Sequence, residues 1–184
     1  MKKSKLEAAE TRRRIVKTAA VEFRRKGINN TGLNEVMAAA GLTRGGFYRH
    51  FASKDQLVAE ACAVAMDPVG EPGPGKTGLD AILTAYLSKD HRDNLSEGCV
   101  LAGLGSELAR GDEDTRAAAT AGFLKLVDIF AQHYRQTNHE TARGRALVAV
   151  SAVVGAVTIS RIVTDPKLSA TILRLTKKHL AHTQ

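Results

Sequence analysis

Residues 31–51, TGLNEVMAAAGLTRGGFYRHF, decide how this chain is read. Leu33, Val36, Met37 and Ala40 recur at helical spacing and give a first short helix one apolar face. Gly41 supplies a left-handed corner, a conformation that a residue with a Cβ resists. Thr43 is a good N-cap for a second short helix, in which Phe47 and Phe51 fall four apart on the inner side. Arg44, Gly45, Tyr48 and Arg49 then face outward. An arginine near a helix start, small residues beside it, and hydroxyl, guanidinium and imidazole groups after it suit the major groove of DNA. There the first turn of a recognition helix meets base edges.

The charge distribution makes the same argument independently. Residues 1–54 hold 13 Lys or Arg against 4 Asp or Glu, a balance of +9, whereas residues 55–184 hold 14 against 15, a balance of −1. The whole basic excess therefore coincides with the helix-turn-helix pattern, the footprint of a phosphate-binding head rather than of a merely solvated charge run.

Around this motif the chain reads as all-α. A first helix over Lys5–Lys26 carries an apolar stripe of Ile15, Val16, Ala19, Ala20 and Phe23 and stops at Gly27. After the motif, Ser53-Lys54-Asp55-Gln56 has the capping-box pattern and opens a helix with Leu57, Val58, Ala61, Cys62 and Ala65 on one face. Residues 67–78, DPVGEPGPGKTG, concentrate three of the four prolines and four glycines, which marks a linker. Helical patterns return at 79–88, 100–109, 114–136, 140–163 and 167–181. The expected architecture is a helix-turn-helix head over 8–66, a linker over 67–78 and a helical bundle over 79–184, about nine helices in all. With 43% hydrophobic residues and no Trp, the core must be largely Ala, Leu, Val and Ile.

Composition argues against several function classes. Two cysteines make no disulfide framework, and their spacing fits no zinc or redox pair, so neither metal nor cofactor is expected. There is no G-x-S-x-G, phosphate loop or H-E-x-x-H, so no enzyme motif is present. The N-terminal MKKSKLEAAETRRR lacks the apolar core of a signal peptide, and the apolar run over 146–159 is short for a bilayer; the expectation is a cytoplasmic protein without a membrane partner.

The stretch 13–60, with Ile15, Ala19, Phe23, Gly27, Thr31, Val36, Gly41, Thr43, Gly46, Tyr48, His50, Phe51, Lys54 and Leu57, resembles the N-terminal domain of the tetracycline-repressor (TetR/AcrR) family of bacterial regulators. The resemblance covers about a third of the chain. It implies a dimeric repressor on a pseudo-palindromic double-stranded operator, a ligand-binding body whose last two helices dimerise, and release by a small-molecule effector. The breaker-rich 67–78 segment departs from the family's pattern.

Each candidate residue carries two readings. Thr31 and Thr43 are expected N-caps that can also offer a hydroxyl and backbone N–H groups to phosphate. Arg44 suits a bidentate guanine contact, with phosphate as its alternative. Gly45 and Gly46 are each unfavourable in a helix by roughly 1 kcal/mol relative to Ala, which fits a surface that must approach the duplex closely. Tyr48, His50 and Lys54 match family positions that bind phosphate. Lys54 also places a cation at a helix N-terminus, against the dipole. Lys2, Lys3 and Lys5 form either a minor-groove arm or a solvated tail. In the body, Gly98-Cys99 with Leu101, Leu104, Glu107 and Arg110 looks like a pattern of a family subset in which this helix flanks the ligand cavity. Cys99 is then a thiol sensor or a small buried residue, and Cys62 is core. Tyr86, Phe123, Phe130, His133 and Tyr134 line a pocket or fill the core. The 145–163 helix is apolar on nearly all sides. Ala152, Gly155, Ala156 and Ile159, with Leu168, Ile172 and Leu175 from the last helix, make an isologous dimer interface or the centre of a monomer. A DNA-binding protein without an effector is the remaining alternative to a ligand-responsive regulator.

Overall fold

The structure is a computed structural model that describes residues 5–66, 78–134 and 139–182; the expected linker, apart from Gly78, and the arm residues Lys2 and Lys3 lie outside them. The described residues form nine α-helices, one 3₁₀ helix and no strand: α1 (Lys5–Lys26), α2 (Leu33–Ala39), the 3₁₀ helix η1 (Arg44–Arg49), α3 (Lys54–Ala65), α4 (Leu79–Tyr86), α5 (Lys89–Asp93), α6 (Val100–Leu108), α7 (Glu113–Ala131), α8 (His139–Ile162) and α9 (Pro166–His182). The all-α expectation holds. The periodicity misses only α5, whose five residues KDHRD are polar throughout and bury none of their number.

Two hydrophobic clusters organise the chain. The first joins the α1 stripe (Ile15, Val16, Ala19, Ala20, Phe23) to Val36, Met37, Phe47, Phe51, Leu57, Val58 and Cys62. It does not stop at the head, because Val100, Leu104 and Leu108 of α6 belong to the same cluster. The second gathers Leu79 and Leu83 of α4, Val127 and Phe130 of α7, Ala146, Ala149, Val150, Val153 and Val157 of α8, and Leu173 and Leu180 of α9. Head and body also meet where α3 lies on α7. A Cβ built on Gly122 would stand 2.4 Å from Met66 Cβ, so this crossing needs a residue without a side chain.

Polar links fix the register of the body helices. Thr158 donates to Ala102 O at 3.0 Å, Ser169 to Ser160 O at 2.7 Å, and Lys177 to Thr84 Oγ1 at 2.6 Å. The apolar character of α8 extends beyond residues 146–159. Its Glu140–Ile162 stretch is long and apolar enough to cross a bilayer by length and composition, yet one side of it is buried against α7 and α9 in the second cluster.

Candidate nucleic-acid interface

The head is built around two left-handed glycines. Gly27 at φ 90° ends α1, and its N–H donates to Phe23 O at 2.8 Å. Gly41 at φ 70° turns the chain out of α2 and brings Leu42 N–H onto Met37 O at 2.8 Å. Both positions have the sign of φ that glycine tolerates best.

The start of α2 corrects the sequence reading. Thr31 is not the N-cap; Gly32 is, and Glu35 reaches back to accept from the Gly32 N–H at 3.0 Å. Thr31 is fully buried, and its hydroxyl donates to Gly27 O at 2.7 Å, stitching the α1–α2 turn from inside. A hydroxyl so placed has no path to a phosphate, and Thr31 leaves the candidate interface. Glu35, by contrast, sits three residues after the cap with Lys26 at 3.1 Å, and the Gly32 N–H, then Lys26, hold its carboxyl below the usual range.

Thr43 does cap the next element, although without a side-chain hydrogen bond. That element is a 3₁₀ helix rather than an α-helix. Gly46 N–H donates to Thr43 O and His50 N–H to Phe47 O, both closing three-residue turns. The tandem glycines and a length of six residues explain the tighter winding, since nothing at 45 and 46 stabilises a longer ladder. Phe47 is fully buried and stacks on Phe51 at 5.4 Å, anchoring the helix from below. Above it Thr43, Arg44, Gly45, Tyr48 and Arg49 are exposed, Tyr48 at 67%. Gly46 is half-buried, and a Cβ built on it would stand 3.7 Å from Met37 Cε, an ordinary contact; a Cβ on Gly45 would meet nothing within 4 Å. The guanidiniums of Arg44 and Arg49 make no ion pair with any described residue.

Two residues lock this surface to the helices beneath it. Arg12 of α1 pairs bidentately with Glu60 of α3, lies over the Phe51 ring at 4.5 Å and donates through Nε to His50 O at 3.2 Å. His50 is half-buried and leans on Phe51. At the start of α3, Ser53 caps as expected, accepting from Gln56 N–H at 3.1 Å, while Gln56 Oε1 reaches one residue further back, to Ala52 N–H at 2.8 Å. Lys54 is half-buried and donates to Ile28 O at 2.7 Å. Its cation is therefore spent on a loop carbonyl in the free protein, where the sequence suggests an open phosphate contact.

The body residues named from sequence separate into two groups. Phe130 and Tyr134 are buried in the second cluster with Phe123 packed against it; these are core positions. Tyr86 and Cys99 come together. Their link is His91, which sequence reading passed over: its Nδ1 meets Tyr86 O at 2.5 Å and its Nε2 accepts from Cys99 N–H at 2.9 Å. The ring is therefore the neutral Nδ1–H tautomer, and burial first, then the charge of Arg161, pushes its pKa below the ordinary 6.5. Arg161 of α8 donates to the carbonyls of His91 and Arg92, capping the C-terminal end of α5. Nothing in a sequence separation of 70 residues signals that bond. A cleft of about 350 Å³ opens beside it, lined by Arg92, Asp93, Ser160, Arg161 and Ser169 among others, and none of Tyr86, Cys99, Phe123, Phe130 and Tyr134 lines it. Cys62 is core, as expected, and burial pushes its thiol up to about 11.

A basic head with an exposed, glycine-flanked recognition turn defines a helix-turn-helix DNA-binding protein. Comparison with known proteins agrees. Residues 15–61 match the bacterial regulatory proteins of the tetR family, and residues 77–174 match the C-terminal domain of LmrA/YxaF-like transcriptional regulators. An HTH-type transcriptional regulator of Mycobacterium tuberculosis is 29% identical over 168 residues, covering 84% of this chain and 86% of its own. A probable acrEF/envCD operon repressor of Escherichia coli is 42% identical over 59 residues, 32% of this chain and 27% of its own. Among solved structures, a TetR transcriptional regulator from Chloroflexus aurantiacus superposes with a TM-score of 0.76 at 27% identity, covering 96% of this chain and 94% of that one. The chain belongs to the TetR family of DNA-binding transcriptional regulators.

Proposed function

We propose that the protein is a cytoplasmic, homodimeric repressor whose two heads read the half-sites of a pseudo-palindromic operator, and which a small molecule bound in the body releases from DNA. The division of labour follows the chain, with DNA binding in 8–66 and ligand binding and dimerisation in 79–184. The observation that carries the reading is the surface of η1: Arg44, Tyr48 and Arg49 are exposed above a core locked by Phe47 and Phe51. Arg44, in the first turn, faces base edges, and Gly45 and Gly46 allow close approach. Thr43, Tyr48, Arg49, His50 and Lys54 hold the flanking backbone. The repressor sign is that of the Escherichia coli relative's name.

Dimerisation is supported by an apolar face that the monomer leaves largely bare, with Ala152, Gly155 and Ile172 half-buried within it. On α8, Val148, Ala152, Gly155, Ile159 and Ile162 recur at helical spacing, and on α9 Leu168, Ile172 and Leu175 follow suit; Val148 and Ile162 are both about two-thirds exposed. Ala156 turns inward and is buried within its own subunit, so it supports the interface from below. A second copy is the occupant that fits, because the face is apolar on two adjacent helices and belongs to a chain that must present two heads to DNA. A mobility-shift assay on the DNA flanking the protein's own gene tests the function directly. Retarded bands with one dimer per site, abolished by specific competitor but not by random DNA, are expected; binding without any sequence preference would overturn the regulator reading.

A further inference from the structure

The junction of α1, α4, α5, α6 and α8 holds more hydrogen-bond donors than the protein satisfies. Cys99 stands at the N-cap of α6, and around it lie Tyr86 from α4, His91 from α5, Arg161 from α8 and Arg24 from the last turn of α1. His91 is fully used, as described above, and Arg161 spends Nε and Nη2 on the carbonyls of α5. Tyr86 Oη and Arg24 Nε are sealed from solvent; among the described residues Arg24 Nε has no hydrogen-bond partner, and Tyr86 Oη has only the Cys99 thiol beside it, a weak acceptor. Each lies beside Cys99. Arg24 lies within electrostatic reach of Glu97 and Cys99, and Arg161 within reach of Cys99 and Tyr86. Burial above all raises the Tyr86 hydroxyl well beyond its ordinary value, so it keeps its proton and can donate. Glu97, the nearby carboxylate, is exposed and accepts from Asn94 at 3.2 Å.

Buried polar atoms without partners are few in native proteins, and each one costs stability. Here both ill-satisfied groups are donors, one of them on the Arg24 guanidinium, and the Arg161 guanidinium lies near the other. The complement of such a set is an oxygen acceptor that carries negative charge. We propose that Tyr86 and Arg24, with Arg161 behind them, form a subsite for an anionic oxygen of the effector, a carboxylate or a phosphate. This deepens, and rests on, the effector reading above. It also gives the head a direct part in ligand binding, since Arg24 lies in α1.

The same helix that starts at the subsite ends on the DNA-binding motif. Glu107, near the end of α6, accepts from Asn29 N–H at 2.8 Å and lies so close to Gly27 that a Cβ there would meet its Oε1 at 2.8 Å. Those two residues belong to the turn that leads from α1 into α2. An anion that draws Arg24 toward Tyr86 therefore pulls on α1 just before the turn that Glu107 clamps, changing how α2 and η1 are presented. By linkage, DNA must change the ligand's affinity by the same factor.

The test uses the full chain, with hexanoate, benzoate and inorganic phosphate as anionic probes and 1-hexanol and benzyl alcohol as neutral counterparts of the carboxylates. Thermal melting and the anisotropy of labelled operator are read together. At least one anion is expected to raise the melting temperature and weaken DNA binding about fivefold or more, with its neutral counterpart inactive. Response to hexanoate or benzoate but not phosphate identifies a carboxylate site, and the reverse a phosphate site. Tyr86→Phe and Arg24→Gln should each weaken the active probe by about tenfold, the loss of one buried hydrogen bond to a charged group. Tyr86→Phe should leave the melting temperature of the free protein unchanged or raise it, because the buried hydroxyl it removes has only the weakly accepting Cys99 thiol beside it; a purely structural hydroxyl would lower it. Action by the alcohols alone, or anion binding undiminished in both variants, overturns the subsite and leaves the effector reading standing. Silence of all five probes in both measurements counts against both.

Discussion

At the scale of single residues, Arg44 and Lys54 divide sequence reading from backbone holding. Arg44 is exposed in the first turn of η1 without an ion pair among the described residues, so Arg44→Ala should cost roughly 1–3 kcal/mol on the operator and little on random DNA. Lys54 already donates to Ile28 O, so Lys54→Ala acts twice. It should lower the stability of the free protein by about 1 kcal/mol. It should also weaken operator and random DNA alike, with a salt dependence shallower by about one counterion per head. Anisotropy titrations at several salt concentrations check both; equal losses on all DNA from both substitutions would make Arg44 a phosphate clamp. His91 sets a second expectation at this scale. Its pKa is depressed in the folded state, so the unfolded chain takes up the proton first. Its contribution is thus complete above pH 6.5, the ordinary value, and is lost as pH falls below it, because a protonated Nε2 cannot accept from Cys99 N–H. Urea unfolding at pH 7.5 and 5.0 should show a larger loss for the wild type than for His91→Gln, which is already weaker at pH 7.5 by about 1–3 kcal/mol. An equal loss in both proteins would mean that other groups carry the acid sensitivity.

At the scale of elements, what the sequence discloses is what periodicity and glycine disclose. The stripe of α1, the stops at Gly27 and Gly41 and the burial of Phe47 and Phe51 are all local consequences of spacing and φ. Four features escape that reading, two of them local and two set by tertiary packing. The cap of α2 went to Gly32 because Glu35 could reach back to it, leaving Thr31 to turn inward. Winding of η1 as 3₁₀ depends on two weak helix formers in a six-residue element held from below. The assignment of α6 to the head's core depends on packing between residues some 80 apart. Crossing of α3 over α7 at Gly122 is of the same kind, since its glycine reads as an ordinary weak point in a helix. Gly122→Ala should nonetheless destabilise the protein by about 1–3 kcal/mol, through the forced movement of Met66, although alanine is the better helix former. Met66→Ala should recover part of that loss in the double variant, and a Gly122→Ala protein at least as stable as wild type would show that the crossing is loose.

At the scale of the whole molecule, the decisive question is what covers the bare face of α8 and α9. Val148, Ile159 and Ile162 are exposed in the monomer and contribute nothing to its core, so charging one of them isolates association from folding. Ile162→Glu should leave the helical circular dichroism intact while sedimentation shifts from dimer to monomer. Gly155 offers a steric counterpart: a Cβ there meets nothing within 4 Å inside the subunit, so Gly155→Leu has room in the monomer and obstructs only a closely approaching second helix. A monomer presents one head, and two linked heads gain about 10²–10⁴ in affinity over one when their spacing matches the half-sites. Both variants should therefore lose operator affinity within that range, with each half-site still bound weakly and the preference set by Arg44 retained. If Ile162→Glu and Gly155→Leu both remain dimeric, the two-fold axis lies elsewhere on the body. If the wild type itself sediments as a monomer at micromolar concentration and binds DNA unchanged, the bare face serves another partner and the protein reads its operator one head at a time.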